Sequence, residues 1–168
     1  MIKKLFINTL AAGLLAFSGQ RALAQDGQTY KHAIGGRFGV ANGITFKNFI
    51  TDANAIDVIM NFRSNHEYST FRLMALYEIH REFPSVEGLR WYYGAGAGVG
   101  TYKDKIVYPD GREGSNEFAL SAEGVVGLDY KIKNAPINFG LDWKPSLNLA
   151  PDANLKFDGF GFSVRFTF

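Results

Sequence analysis

Apolar side chains recur at every second position along most of this 168-residue chain, and that spacing constrains the fold more than any other feature. Successive side chains of a β-strand point to opposite faces, so a period of two spells strand, whereas a helix shows a period of 3.6. Ile56, Val58, Met60 and Phe62 alternate with Asp57, Ile59, Asn61 and Arg63, and Phe71, Leu73, Ala75, Tyr77 and Ile79 with Arg72, Met74, Leu76, Glu78 and His80. The row Leu89, Trp91, Tyr93, Ala95, Ala97, Val99 is unbroken. At the end of the chain Phe160, Phe162, Val164, Phe166 and Phe168 share one face against Gly161, Ser163, Arg165 and Thr167. Similar rows run through 31–40, 118–131 and 137–144. The weakest segment is 44–50, where Lys47 turns inward if Ile44 and Phe46 turn outward, and where Phe49 cannot share the face of Phe46. The pattern predicts eight strands, divided by turn-forming residues at Asn42-Gly43, 51–54, 84–88, Asn134-Ala135-Pro136 and Pro151-Asp152.

The polar face decides which kind of β-protein this is. It carries Arg37, Arg63, Arg72, Arg90, Lys131, Lys144 and Arg165 against Asp57, Glu78, Glu123, Asp129 and Asp142, mixed with glycines. A soluble lipocalin-like barrel keeps apolar side chains inside; a membrane barrel turns them to lipid and closes so that no backbone edge meets hydrocarbon. The fold class expected is therefore an all-β, antiparallel, up-and-down transmembrane barrel. The near balance of inward charge predicts an ion-paired interior without a pore, since about eight strands enclose a space that side chains just fill. Aromatic residues fall at the predicted strand ends, with Tyr30, Tyr77, Trp91, Tyr93, Tyr130, Phe166 and Phe168 at one and Phe71, Phe118 and Trp143 at the other, as expected for rings at headgroup level. Longer connections near 102–116 and 145–157 should lie at the second end, facing outward. The soluble alternative is a periplasmic two-layer β-sandwich that buries the apolar rows between its sheets.

Lys3 and Lys4, an apolar run from Leu5 to Phe17, and then Ala22-Leu23-Ala24 have the order of a secretory signal, with cleavage between Ala24 and Gln25. Residues 1–24 are expected to be removed and 25–168 to form one domain in the cell outer membrane. Removal takes Lys3, Lys4 and Arg21 and no acid, so 18 basic groups against 16 acidic become 15 against 16, and a net charge of +2 becomes −1. Nucleic acid thereby loses its electrostatic footprint as a partner. The chain has no cysteine, hence neither a thiol for a lipid anchor nor a disulfide.

Val164-Arg165-Phe166-Thr167-Phe168 resembles the last strand of outer-membrane proteins, which ends in a terminal Phe with aromatics at alternate positions. The chain departs from that pattern at Ser163, where Gly is often found; Gly161 lies two residues earlier. From about Tyr30 to Phe168 the chain resembles the small OmpA/OmpX-type eight-stranded barrels of Gram-negative bacteria and the uncharacterised outer-membrane β-barrel families grouped with them. That resemblance implies recognition of the strand ending in Phe168 by the outer-membrane assembly machinery, and a monomer surrounded by outer-membrane lipids and lipopolysaccharide.

The chemistry-bearing motifs are sparse. The run from Gly94 to Gly100 lacks the third glycine of the dinucleotide fingerprint and has no Gly-Lys-Ser/Thr after it; inside a strand its glycines leave room for side chains from neighbours. His66-Glu67-Tyr68-Ser69-Thr70 is not the zinc-protease motif, because Thr70 stands where the second His would be. His32 and His80 show no ligand spacing, and His80 is expected to pair with an inward carboxylate. Asp104, Asp110 and Glu113 lack the spacing of a calcium loop. No catalytic, cofactor-binding or metal site is assigned, and no cofactor is expected. The enzymatic alternative is a lipid A acyltransferase or deacylase of the same fold, for which Ser69 with His66 is the candidate pair. The favoured expectation is a non-enzymatic, non-porous scaffold or surface-interaction protein acting through its extracellular loops.

Overall fold

The computed structural model describes residues 30–64, 66, 68–104, 116–151, 153–157 and 159–168. Their strands are β1 (His32–Gly39), β2 (Asn42–Phe49), β3 (Asn54–Ser64), β4 (Tyr68–Glu82), β5 (Leu89–Asp104), β6 (Asn116–Lys131), β7 (Ile137–Trp143), β8 (Ser146–Ala150), β9 (Asn154–Lys156) and β10 (Phe160–Thr167). Each pairs antiparallel with its neighbours, and pairing of β1 with β10 and of β5 with β6 closes the sheet on itself. The signal segment 1–24 lies outside the described residues.

Ten segments make eight barrel strands. β7 and β8 both pair with β6, and the register is the same on either side of Lys144-Pro145: Asp142 faces Gly127 and Ser146 faces Glu123. Proline has no N–H for the ladder, so the hydrogen bonding is interrupted there although the wall continues, with Gly124 N donating to Pro145 O at 2.8 Å. β9 and β10 likewise form one irregular strand around Gly159, whose carbonyl accepts from Lys144 N at 3.1 Å. The segment 145–157, expected as a loop, is therefore largely wall, and the connection expected at 102–116 narrows to 105–115 because β5 and β6 run further.

Register fixes the size of the barrel. Followed one way from Arg37, the paired row passes Ser163, Gly140 and Asp129 to Arg90; followed the other way it passes Gly43, Asn61 and Arg72 to Gly100. The two ends of the row meet β5 ten residues apart, from Arg90 to Gly100. With a rise of about 3.3 Å per residue and strands about 4.8 Å apart, eight strands staggered by that amount tilt roughly 40° and close at a radius of roughly 8 Å. Side chains alone can fill such a lumen.

Every predicted strand keeps its inside and outside. Among the described residues 17 polar or charged side chains are buried against 10 apolar ones, and Phe38, Ile44, Phe62, Leu141, Phe160 and Phe166 are all more than half exposed. Polarity is inverted relative to a soluble barrel. Both chain ends of the barrel lie together, His32 N donating to Phe168 O at 2.8 Å. The connection between β1 and β2 differs from expectation: Asn42-Gly43 opens β2, and the bend falls at Val40-Ala41, after Gly39 at φ 142°. Tyr30, expected in the aromatic belt, is buried in the lumen instead. It precedes β1, so strand alternation does not govern its direction, and a hydrogen bond to Asp129 holds it inside.

Candidate functional site

The lumen holds the side chains that could carry function, in three layers. At the end bearing the termini, Tyr30, Ala33, Phe49 and Ala55 form an apolar plug. Tyr30 meets Phe49 edge-on at 5.2 Å between ring centroids, and its hydroxyl donates to Asp129 Oδ2 at 2.5 Å. Phe49, the residue that could not share the face of Phe46, is this plug's largest apolar side chain. His80 lies between Phe49 and Tyr92, with both ring centroids 4.8 Å away.

The middle layer is a closed network. Arg165 is fully buried, its Nε donating to Thr45 Oγ1 at 3.2 Å and its Nη2 to Asp57 Oδ2 at 3.1 Å, with Nη1 3.5 Å from Asp129 Oδ1. Lys47 Nζ sits 2.8 Å from Glu78 Oε2 and 4.2 Å from the centroid of the Tyr92 ring. The other side of the same Glu78 oxygen meets His80 Nε2 at 3.0 Å, the inward carboxylate expected for His80. Just above, Arg37 clamps Asp142 through both guanidinium nitrogens, at 2.5 and 2.6 Å. Glycines make room for the large bases. A Cβ at Gly140 would lie 2.6 Å from Arg165 Nη1, and one at Gly161 would strike the Arg37 guanidinium.

The third layer, towards the end remote from the termini, is a cavity of about 590 Å³. At its base Glu123 faces Arg72 Nη1 and Lys144 Nζ, each 3.7 Å away, while Ser121 Oγ donates to Glu123 Oε1 at 2.6 Å. Arg72 also donates to Asn148 Oδ1. Tyr68 and Tyr102 stack along the wall at 5.6 Å, and the Arg63 guanidinium lies 5.6 Å over the Tyr68 ring.

Ion pairs thus join five bases (Arg37, Lys47, Arg72, Lys144, Arg165) to the five acids predicted to point inward. Lys47, in the least regular segment, enters the network; Arg63, Arg90 and Lys131, counted with it from alternation, do not. Arg90 pairs with Glu82 at 2.6 Å, and Lys131 Nζ donates to the carbonyls of Ile132 and Ala135, because both stand at the strand ends where water or turn backbone is in reach. The glycine run of β5 is strand throughout, with Gly94, Gly96, Gly98 and Gly100 on the lumen face.

As chemistry, the network positions charge but offers no approach to a reacting group: His80 and Glu78 are 2% and 1% exposed. Ser69 lies in β4 opposite Ser64 and Lys103, while His66 is exposed in the connection before it; no hydrogen bond joins the two among the described residues. Asp110 and Glu113, and the Asp104 side chain, lie outside the described residues. Among those described, no three His, Asp or Glu side chains converge as metal ligands.

A closed eight-stranded antiparallel barrel, apolar outside and ion-paired within, is the fold of the small outer-membrane β-barrels. Solved structures share it with this chain, among them two bacterial barrels. The N-terminal β-barrel domain of Pseudomonas aeruginosa OprF matches with a TM-score of 0.62 at 17% identity, over 82% of this chain and 95% of that one. Neisserial surface protein A (NspA) matches with a TM-score of 0.56 at 12% identity, over 82% and 93%. At these identities the likeness is one of fold. No protein-family model and no curated protein matches the sequence.

Proposed function

We propose that this protein is an outer-membrane β-barrel, exported with cleavage between Ala24 and Gln25, that acts as a non-porous scaffold or surface-interaction protein. The single observation carrying this reading is the inverted polarity of the barrel. Burying ten interlocked charges while exposing a continuous apolar belt is favourable only where the surroundings are hydrocarbon, because in water that belt would drive aggregation. The terminal end, with its short turns, then faces the periplasm, and the end where β3 finishes at Ser64 and β4 begins at Tyr68 faces outward. Its immediate partners are the surrounding lipids and lipopolysaccharide, with the assembly machinery engaging the final strand.

A lipid-restricted quencher tests the reading. Probes at Leu120, Leu141 and Val164 should be quenched in bilayers and a probe at Asp142 should not. Quenching at Asp142 with none at the other three would reject the assignment of inside and outside, and with it the membrane reading.

A further inference from the structure

Above the Arg37–Asp142 clamp the described lining of the lumen carries more bases than acids. Glu123 is the shared carboxylate of two cations, Arg72 and Lys144, neither closer than 3.7 Å, and one of its oxygens is already engaged by Ser121. Lys144 is 7% exposed, yet its ammonium, with three protons to give, has the thioether sulfur of Met74 at 2.8 Å as its hydrogen-bond acceptor. Asn61 Oδ1, also buried on this wall, has no donor among the described residues. Arg63 and Lys156 line the same space towards its rim and have no carboxylate partner among the described residues. With Arg37 held by Asp142, the described lining leaves four bases to two acids, Glu117 and Glu123.

A desolvated cation that shares its carboxylate with a second base at 3.7 Å is incompletely compensated, and a cavity of this size is in the range of small-molecule sites. We propose that the cavity binds a phosphorylated, sugar-sized anion. Arg72 and Lys144 receive the phosphate at the base, and Arg63 and Lys156 guide it from the rim. The stacked Tyr68 and Tyr102 offer a flat face to the body of the ligand. A dianionic phosphate matches the surplus of two positive charges among the described lining residues, and the planar fork of a guanidinium suits its oxygens. The phosphate could belong to a free sugar phosphate or to the headgroup of a phosphorylated glycolipid. The inference goes beyond the scaffold reading and does not depend on cellular location, since a refolded barrel in micelles suffices to test it.

Titration calorimetry and phosphorus NMR on the mature chain, refolded in a phosphate-free amine-oxide detergent, provide the test. Glucose 6-phosphate should bind saturably and more weakly as salt rises, and glucose should not bind. R63Q/K156Q alters two rim side chains outside the packed network and should weaken binding roughly tenfold or more while leaving the heat-modifiable barrel band in place; K144M should weaken it further. Micelles doped with a bis-phosphorylated glucosamine glycolipid distinguish the sources: displacement of glucose 6-phosphate identifies a headgroup site, and continued binding identifies a site for the free solute. Equal binding of glucose and glucose 6-phosphate, no saturable binding, or unchanged affinity in a folded R63Q/K156Q variant would overturn the proposal.

Discussion

Arg165 reaches one side chain on each of four other strands: Thr45 of β2, Asp57 of β3, Asp129 of β6 and Asn138 of β7 all lie within 3.5 Å of its guanidinium. Removing such a base deprives the buried carboxylates Asp57 and Asp129 of the guanidinium they share, and breaking a buried ion pair in this way typically costs about 3–5 kcal/mol. Arg165→Met should therefore lower the stability of the inserted barrel by an amount of that order in urea titrations monitored by tryptophan fluorescence. Arg63→Gln, at an exposed site outside the network, should change it little. Equal stability of the two variants would show that the network contributes nothing to the fold. Asn138 illustrates why position in the alternation is not enough to judge a substitution. It looks like any inward polar residue, but it is fully buried and accepts from Arg165, so a second guanidinium there would meet the first.

At the scale of elements, the last strand does more than end the chain. β10 pairs with β1 along its length, and Phe168 closes the seam through its backbone, donating from its N to His32 O at 2.9 Å and accepting at its O from His32 N at 2.8 Å and Lys31 N at 3.3 Å. Its ring also packs against His32 and Phe166. Deleting Phe168 removes these bonds at the one junction that joins the chain's first strand to its last, where closure cannot be helped by a hairpin. Assembly should slow, read as delayed appearance of the folded band in a refolding time course and a lower membrane yield in cells. Normal rate and yield from the truncated chain would contradict this role.

For the whole molecule, the decisive property is which medium each face meets. An Arg on the lipid face near the midplane costs about 2–4 kcal/mol, whereas one directed into a water-accessible lumen need not meet lipid. Leu141 is 55% exposed on the outer surface, and Thr70 lines the upper cavity. Leu141→Arg should impair refolding into bilayers far more than Thr70→Arg, as measured by folded fraction at fixed lipid; equal impairment would weaken the membrane assignment. Export belongs to the same scale. N-terminal sequencing of the membrane-inserted protein should begin at Gln25, and retention of Met1 would refute cleavage of the segment 1–24.

Alternation alone determined strand number, the inside and outside of every strand, and the identity of all five inward acids, because a strand sends neighbouring side chains to opposite faces whatever it packs against. Turn chemistry located most hairpins for an equally local reason: Gly88 and Asn134 adopt positive φ where turns were expected. What alternation could not reveal depends on register and stagger. Which base meets which acid is decided by the ten-residue offset around the barrel, which brings Arg37 to Asp142, 105 positions away. The same offset carries Lys47 into the network and leaves Arg90 at its edge. Tyr30 entered the lumen from outside any strand, and Pro145 interrupted the hydrogen bonds without ending the wall. The cavity was equally invisible in the sequence: it exists because the side chains that fill the lower lumen give way, above Asp142, to polar residues spread over nearly every strand, and only closure of the sheet brings these together.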